Sequence, residues 1–434
     1  MDFFECPFSS WAKRAPTDIA LLSEEGAWSY LECHELIEAI SLQLKKRGVK
    51  EGMSIGILPF SSPIVPLLFF ALFRLGAIAS PLNRYNPREV ILEQLRELSA
   101  PFLIAQDDVE LEGSSIIPFS SLQKREKVAK EVYLKPCQRA TYLWTSGTTN
   151  KPKIACHSLE NHWTSALGSN AFFPIHQHDR YHLSLPLYHV SGIAILFRTF
   201  LNGATLSLLN RGITHTSMVP TMLYRLMKSD EPKRAIHILL GGSQIAPALY
   251  LEALSMGLKV YPTYGMTEMS SQITTHPSLP FFSLGHPLPD RELKISPEGE
   301  ILVRGKVLFQ GYLQSSGELL LPLNEEGFFA TSDRGSYHRE KGLDLLGRND
   351  RMFISGGENI QPEEIESHLL KLKGVIHARV KPKEDPEFGS RPVAYLEREK
   401  NLTDDEIKCY LKPLLPKYKI PVEFIDQRST KLLY

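Results

Sequence analysis

The chain has 434 residues, of which 43% are hydrophobic and 23% charged, a composition typical of globular proteins and a length sufficient for more than one domain. Its 49 basic and 49 acidic residues balance, so the net charge offers no general attraction to nucleic acid or to an acidic membrane surface. Five scattered cysteines without a C-x-x-C pair argue against a zinc site and indicate a reducing compartment.

The beginning of the chain shows no pattern of an export or membrane signal. Met1–Pro7 lacks the basic start and the apolar block of a signal peptide. The most apolar window, Ile55–Leu75, is interrupted by Pro59, Pro63 and Pro66, which predicts a strand, a turn and a buried helix instead of a membrane span. We therefore expect a cytoplasmic protein without membrane insertion.

The first part of the chain alternates predicted strands and helices. Apolar residues recur at helical spacing over Trp28–Arg47 and Val65–Leu75. Short runs typical of strands lie at Ser54–Leu58, Ile78–Leu82 and Pro101–Ala105. Alternation of this kind predicts a parallel sheet covered by helices, and hence an α/β fold.

A loop rich in hydroxyl groups follows the apolar run Tyr142–Trp144 and reads T-S-G-T-T-N-K-P-K. Hydroxyls, backbone N–H groups on a turn and neighbouring lysines together suit a polyphosphate. The loop is not a Walker motif, because no G-x-x-x-x-G-K-[ST] occurs in the chain. Taken by itself, the segment is also consistent with an ordinary polar loop between two strands.

Further along, polar or glycine-containing turns follow three predicted strands. These turns are Pro186–His189, Gly241–Ser243 and Tyr264–Glu268. Helices are predicted between them, at Ala194–Leu201, Met218–Met227 and Pro247–Met256. Open α/β sheets bind their ligands where strands end in such turns, so we expect a site there.

The last third of the chain changes in character. Short alternating strands, beginning with Leu293–Ile295 and Glu300–Val303, predict a small β-rich subdomain. Beyond Asp350 the sequence predicts helices at Pro362–Lys371 and Thr403–Leu411 with strands between them, which is about the size of one small domain.

Five motifs then stand in the order and spacing of the adenylate-forming superfamily. They are T-S-G-T-T-N-K-P-K, Y-G-M-T-E, T-S-D-R-G, G-R-N-D and S-G-G-E-N-I-Q-P-E-E-I-E. Over nearly its whole length the chain resembles acyl-CoA synthetases, luciferases and peptide-synthetase adenylation domains. P-L-Y-H-V-S-G followed by Arg198, and G-M-T-E-M-S-S-Q-I, are most similar to the o-succinylbenzoate–CoA ligases of menaquinone biosynthesis.

The resemblance implies a fold and an activity. The fold has a large N-terminal domain of helix-flanked sheets with a β-rich subdomain (residues 1–349) and a small mobile α+β C-terminal domain (350–434), with Asp350 as the hinge. The activity consumes ATP with Mg²⁺ to adenylate o-succinylbenzoate, releases pyrophosphate, and passes the acyl group to coenzyme A with release of AMP. The partners are small molecules, and the oligomeric state stays open, with a homo-oligomer among the alternatives.

The resemblance also implies an ATP site. Its residues would be Thr145, Ser146, Gly147, Thr148, Thr149, Lys153, Gly242, Ser243, Tyr264, Gly265, Met266, Thr267, Asp333 and Arg348. Glu268 would hold Mg²⁺, a task that suits carboxylate oxygens, while Tyr264 would stack on adenine and Asp333 with Arg348 would bind the ribose. The alternatives are that Glu268 is a solvated loop acid and that Asp333 only forms a turn. Asn150 and Ile154 replace glycines that are customary in the family.

For the acid substrate the resemblance implies His189, Ser191, Gly192, Arg198 and Gly241. His189 would orient the reacting carboxylate, although a histidine packed in the core is the alternative. Arg198 lies in an otherwise apolar helix, where a buried guanidinium would demand an anion such as the second carboxylate of o-succinylbenzoate. An arginine at the helix edge that reaches solvent is the alternative.

The C-terminal lysine motif departs most from the family pattern. Members usually end in L-P-x-x-x-x-G-K, whose lysine reaches the α-phosphate, but here that glycine is absent. Lys431 is the catalytic candidate by position, beside His189 and Glu268, and Lys417 and Lys419 compete with it. A catalytically weakened homologue therefore stays open. A ligase for another aromatic or fatty acid is a separate alternative from the same fold. The missing Walker and kinase signatures argue against a P-loop NTPase or a kinase.

Overall fold

The computed structural model describes residues 3–111, 115–122, 132–145, 152–229, 236–355, 358–385, 388–399 and 402–427. These residues form two large β-sheets, four small ones and ten α-helices. The α-helices are Pro7–Arg14, Tyr30–Lys46, Ile64–Arg74, Arg88–Glu97, Leu159–Asn170, Val190–Leu201, Pro220–Lys228, Pro247–Ser255, Pro362–Lys371 and Asp404–Leu411. Within these ranges no helix is long and apolar enough to cross a bilayer.

The first large sheet has eight strands. In spatial order they are Leu319–Leu320, Gly311–Leu313, Lys153–Ser158, Arg139–Thr145, Ile78–Pro81, Ser54–Ile57, Phe102–Ala105 and Ser115–Pro118. The last five of these run parallel, whereas Lys153–Ser158 runs antiparallel to Arg139–Thr145. Their register pairs Lys153 with Thr145. The two described ends of the predicted polyphosphate loop therefore lie side by side.

The second large sheet has nine strands. In spatial order they are His286–Pro287, Ser271–Thr275, Lys259–Met266, His237–Leu240, His215–Met218, Arg180–His182, Thr205–Ser207, Ile19–Ser23 and Gly26–Ser29. The six strands from Lys259–Met266 to Ile19–Ser23 run parallel. Because parallel strands end at one edge of a sheet, Gly241 and the Thr267–Met269 turn come to that same edge.

Apolar helices fill the space next to these sheets. Ile64–Arg74 and Val190–Leu201 are almost wholly buried, and their aromatic rings meet where Phe70 lies 5.7 Å from Phe197. Burial of each such side chain contributes roughly 1.5–3 kcal/mol. The second helix carries Arg198 in its last turn, so the core that holds this helix also fixes the arginine.

The C-terminal third contains the predicted small sheets. Arg291–Ile295, Glu300–Gly305, Phe329–His338 and Gly342–Arg348 form a four-stranded antiparallel sheet. Further on, Phe353–Ser355 pairs with Glu358–Ile360. A last sheet has the strands Val375–Asp385, Gly389–Arg398 and Glu423–Asp426 and packs on Pro362–Lys371 around its own apolar core. The fold class is confirmed, whereas the boundary at residue 350 stays a prediction.

Three element predictions need correction. The helix expected over Trp28–Arg47 begins at Tyr30, because Ser29 caps it in a reciprocal box with Glu32 and the residues before it form a strand. The helix expected from Met218 begins at Pro220, after the unpredicted strand His215–Met218. The strand predicted to end at Pro262 continues to Met266, where it pairs with Ser271–Thr275.

Candidate active site

A cavity of about 1080 Å³ opens where the two large sheets and the four-stranded sheet meet. Twelve of the residues predicted from sequence lie in its walls: Thr145, Lys153, His189, Ser191, Arg198, Gly241, Gly242, Gly265, Met266, Thr267, Glu268 and Arg348. The structure thus brings together residues that are up to 203 positions apart in the chain (from 145 to 348). Ser146, Gly147, Thr148, Thr149 and Lys431 lie outside the described residues.

One end of the cavity is formed by the strands that flank the predicted polyphosphate loop. The hydroxyl of Thr145 is buried and has no hydrogen-bond partner among the described residues. The ammonium of Lys153 lies 4.9 Å from the centre of the Tyr312 ring. A buried hydroxyl that lacks a partner and a cation on an aromatic face are groups that an anionic ligand can engage.

Glu268 lies beside this end and is 7% exposed. The hydroxyl of Tyr312 donates to its Oε1 over 2.6 Å, and burial together with this carboxylate raises the pKa of Tyr312. The alternative of a solvated loop acid is therefore wrong. In the part of the chain that the structure describes, no three His, Cys, Asp or Glu side chains cluster as a metal site. A single carboxylate fits Mg²⁺ that arrives already bound to phosphates.

A second polar group lies behind the cavity wall around Asp333. Its Oδ2 accepts from the hydroxyl of Tyr264 at 2.6 Å, and its Oδ1 accepts from Nη1 of Arg348 at 2.7 Å. Arg348 stands opposite Asp333 in the neighbouring strand and itself lines the cavity. Burial is the main cause that raises the pKa of Tyr264, followed by the charge of Asp333. Asp333 is thus held by side chains and is more than a turn former.

His189 and Arg198 lie on the acid-substrate side predicted from sequence. His189 stands at the N-terminal end of Val190–Leu201, in the cavity wall, where loss of water contact lowers the pKa of its imidazole. Its ring lies 4.6 Å from the ring of Tyr188. His189 is nonetheless exposed at the surface of the protein, so it is not a packed core residue.

Arg198 is 1% exposed, so the alternative of a side chain that reaches solvent is wrong. Its Nη2 donates to Ser271 at 3.2 Å, while its Nε has no partner among the described residues. Burial lowers the pKa of Arg198, and burial together with the nearby charge of Arg198 lowers that of Arg291 to about 9. No ion pair joins either guanidinium to a carboxylate within the described ranges. Of the two, Arg198 lines the cavity, and its charge makes this end favourable for an anion.

Two predicted residues occupy other positions. Ser243 is exposed beyond the cavity wall. Gly192 is buried in the first turn of its helix, where an added Cβ would overlap the backbone carbonyl of Pro186, so it serves close packing. Gly265 lines the cavity and has a similar constraint, because a Cβ there would overlap the carbonyl oxygen of Ser271.

Sequence reasoning missed several residues of the cavity. Among them are Tyr312, Ser271, Met222, Arg351 and Arg379. Ser271 lies within the motif G-M-T-E-M-S-S-Q-I, which is the signal for it in the sequence. Tyr312 stands in the short strand Gly311–Leu313, whose pairing beside Lys153–Ser158 has no local signal in the sequence.

A family model described as AMP-binding enzyme matches residues 8–313. The chain belongs to this AMP-binding enzyme family. Among its curated relatives, the 2-succinylbenzoate–CoA ligase of Escherichia coli (strain K12) is 32% identical over 98% of this chain and 94% of the relative. The 2-succinylbenzoate–CoA ligase of Bacillus subtilis (strain 168) is 33% identical over 95% of this chain and 92% of the relative.

Solved structures of AMP-binding relatives agree with the fold. A single-substitution variant of E. coli MenE with bound OSB-AMS superposes with a TM-score of 0.89 at 30% identity, covering 99% of this chain and 96% of that one. The o-succinylbenzoate CoA synthetase of B. subtilis in complex with the acyl-adenylate intermediate OSB-AMP gives 0.86 at 31% identity over 98% and 95%. The same enzyme with ATP and magnesium ion gives 0.85 at 32% identity over 98% and 96%.

Proposed function

We propose that this protein is an AMP-forming acid–CoA ligase that acts on o-succinylbenzoate. The reaction adenylates the acid with MgATP, releases pyrophosphate, and transfers the acyl group to coenzyme A with release of AMP. One observation carries the proposal: a single cavity holds Glu268 and Arg348, which is paired with Asp333 behind the wall, at one side and Arg198 at another. Arg198 is buried and forms no ion pair with a carboxylate among the described residues. These are the groups that a nucleotide and a dicarboxylic acid need together.

The positions of these residues suggest a role for each of them in adenylation, the first half-reaction. Thr145 and Lys153 would bind the β- and γ-phosphates, and Glu268 would ligate the Mg²⁺ that comes with them. Asp333 and Arg348 would hold the ribose, and Tyr264 would define the adenine side. Holding both substrates in one cavity converts a bimolecular attack of the carboxylate on the α-phosphorus into a local one. Cationic groups at the departing pyrophosphate stabilise the charge that develops there.

The acid would be oriented at both of its ends. His189 faces the cavity at the start of the helix that carries Arg198 nine residues later, so one helix presents both side chains. We assign the reacting carboxylate to the His189 end and the second carboxylate to Arg198. This division gives the buried Arg198, which has no acidic partner among the described residues, an anion to bind.

The second half-reaction needs a C-terminal domain that moves. We propose that residues 350–434 rotate about Asp350 between adenylation and thioester formation, and that Lys431 completes the site for the first step. ATP, coenzyme A and a dicarboxylate are water-soluble metabolites, so we place the reaction in the cytoplasm.

ATP–pyrophosphate exchange tests the proposal directly. The wild-type protein, MgATP and labelled pyrophosphate would be assayed with o-succinylbenzoate, benzoate, coumarate and a long-chain fatty acid. We expect exchange with o-succinylbenzoate far above that with the other acids. Exchange with a fatty acid alone would reject the substrate, and no exchange with any acid would favour a catalytically weakened homologue.

A further inference from the structure

The turn that carries Glu268 is backbone-strained. Ser270 has φ 52° and Ser271 has φ 105°, values that side-chain-bearing residues rarely adopt. Strain of this kind persists only where the surroundings hold the backbone in place. This turn, defined as Thr267–Ser271, determines the positions of Glu268 and of the Ser271 hydroxyl, which accepts a hydrogen bond from Arg198.

Several side chains hold the Thr267–Ser271 turn from outside the cavity. Ser165 donates to the carbonyl of Ser270 at 2.7 Å, and the hydroxyl of Ser270 donates to the carbonyl of Val307 at 2.8 Å. The third contact is at the start of the turn. There Nε2 of His157 lies 2.7 Å from the carbonyl oxygen of Thr267, the residue before Glu268.

His157 belongs to a buried chain of three side chains. The Thr141 hydroxyl lies 3.4 Å from Nδ1 of His157 and 2.8 Å from Nε2 of His162. Thr141 and His157 are fully buried, and His162 is 2% exposed. They come from two adjacent strands of the eight-stranded sheet and from the helix Leu159–Asn170, so the chain forms only in the folded protein.

Hydrogen-bond chemistry assigns one direction to this chain. A carbonyl only accepts, so His157 must carry its proton on Nε2 and leave a lone pair on Nδ1. Nδ1 of His162 has no partner in the described part of the chain. Thr141 has one hydroxyl proton, which the Nδ1 lone pair of His157 needs, so His162 carries its proton on Nε2 and donates to Thr141. Thr141 can then donate to Nδ1 of His157, and every proton in the chain is used once.

The surroundings keep both rings neutral. Burial lowers the pKa of His157 to about 4, and burial also lowers that of His162, followed by the effect of His157. The ring of His162 stacks on Phe197 at 5.2 Å, next to Arg198 in the chain. The hydrogen-bonded side chains therefore contact both the helix that carries Arg198, through His162, and the turn that carries Glu268, through His157.

We propose that His157, anchored at Nδ1 by Thr141 and His162, is a positioning residue that fixes the Glu268 turn for MgATP. This role rests on the proposed adenylation function and adds residues to it that touch no substrate. Without the Thr141 hydroxyl, the Nδ1 lone pair of His157 and the Nε2–H of His162 both lose their partner. The His157 ring is then no longer held on the side away from the Thr267 carbonyl, so the donor to the turn is less firmly placed.

Thr141→Val tests this directly, because valine keeps the shape and removes only the hydroxyl. Thr205→Val is the matched control: Thr205 is another buried strand threonine with a backbone hydrogen bond, 2.6 Å to the carbonyl of Ile19. We expect Thr141→Val to lower kcat of pyrophosphate exchange, or raise the KM for MgATP, by about 10-fold or more. The KM for the acid should change less, and Thr205→Val should match wild type. Equal kinetics for the two valine variants would overturn the proposal.

A second pair of variants separates hydrogen bonding from packing. Glutamine can place an amide N–H near the position of Nε2, so His157→Gln should recover most of the activity that His157→Leu loses. In ¹H–¹⁵N spectra near pH 7, His157 should be neutral with its proton on Nε2, and this proton should exchange with solvent faster in Thr141→Val than in Thr205→Val. A wild-type His157 protonated on Nδ1 would overturn the proposal. This spectrum does not depend on turnover, so it still decides the point if no acid supports exchange and the proposed function fails.

Discussion

The hydroxyl of Tyr312 donates a 2.6 Å hydrogen bond to Oε1 of Glu268. Tyr312 stands in a strand of the eight-stranded sheet, whereas Glu268 follows a strand of the nine-stranded sheet. The pair therefore links the two sheets at the cavity. It occupies one oxygen of the carboxylate that we propose as the Mg²⁺ ligand, and this contact fixes the orientation of the carboxylate.

Tyr312→Phe should weaken the use of MgATP. Phenylalanine keeps the ring under Lys153 but removes the donor to a charged carboxylate, a contact worth about 1.5–3 kcal/mol. We expect the KM for MgATP in pyrophosphate exchange to rise by about tenfold or more. Tyr337→Phe is the control, because it removes an exposed hydroxyl that bonds to His286. If both variants behave alike, Tyr312 does not orient Glu268.

Arg198→Ala should affect the acid and leave the nucleotide largely unaffected. The variant removes a buried cation that has no acidic partner among the described residues, so a second carboxylate of the substrate would lose its countercharge. We expect the KM for o-succinylbenzoate to rise by about 10- to 100-fold. The residual exchange with benzoate, which lacks the second carboxylate, provides the control. A similar loss with both acids would show that Arg198 supports the cavity without binding the bystander group.

The residues that could be predicted stand in local motifs at strand ends. Glu268 and Asp333 were found in short polar sequences, and their burial then followed from the meeting of sheets. Arg198 was found because a charge in an apolar helix is unusual, although sequence alone could not decide between burial and solvent.

Residues that form hydrogen bonds between neighbouring strands and helices could not be predicted from sequence. Thr141, His157 and His162 look like ordinary strand and helix residues, and only the antiparallel pairing of Arg139–Thr145 with Lys153–Ser158 brings them together. Periodicity reports which face is buried and gives no information about which buried polar groups meet. The same reason hid Tyr312.

Asp350→Pro tests the predicted hinge. Proline fixes φ near about −65°, so rotation about this residue would be restricted. We expect one half-reaction to become much slower than the other, with thioester formation the more affected. Single-turnover measurements of adenylate formation and of its consumption by coenzyme A would separate the two steps. Wild-type rates in both would show that the domains do not turn at Asp350.

Acid should destabilise the fold through His215. Burial lowers the pKa of this histidine from 6.5 to about 4, although Asp179 opposes the shift. The folded form therefore resists protonation, so stability is complete above about pH 6.5 and falls as the pH drops toward 4. Between about pH 7.5 and 5.5, His215 alone should lower the free energy of unfolding by about 1.3 kcal/mol. Urea unfolding at both pH values checks this: between about pH 7.5 and 5.5 the free energy of unfolding of His215→Gln should fall less than that of wild type, by this amount. His178→Gln changes a site that is 78% exposed, and its free energy of unfolding should fall as in wild type.

The last prediction concerns the lysine of the adenylation step. Of the competing candidates, Lys419 forms an ion pair with Glu364 at 2.6 Å and is 16% exposed, which ties it to the helix Pro362–Lys371. That contact gives Lys419 a structural role, and Lys431 remains our candidate. Lys431→Ala should slow adenylate formation by at least about a hundredfold, because a positioned ammonium stabilises charge that develops at the phosphate. Transfer from a supplied acyl-adenylate to coenzyme A should be spared.

Lys419→Ala is the matched variant for this test. It should lower the free energy of unfolding slightly, as expected for a partly exposed ion pair, while adenylation proceeds. Normal adenylation in Lys431→Ala with a loss in Lys419→Ala would exchange the two roles. If neither variant changes adenylation, the reaction does not use a C-terminal lysine, and the shortened motif of this chain would then mark a real departure from the family chemistry.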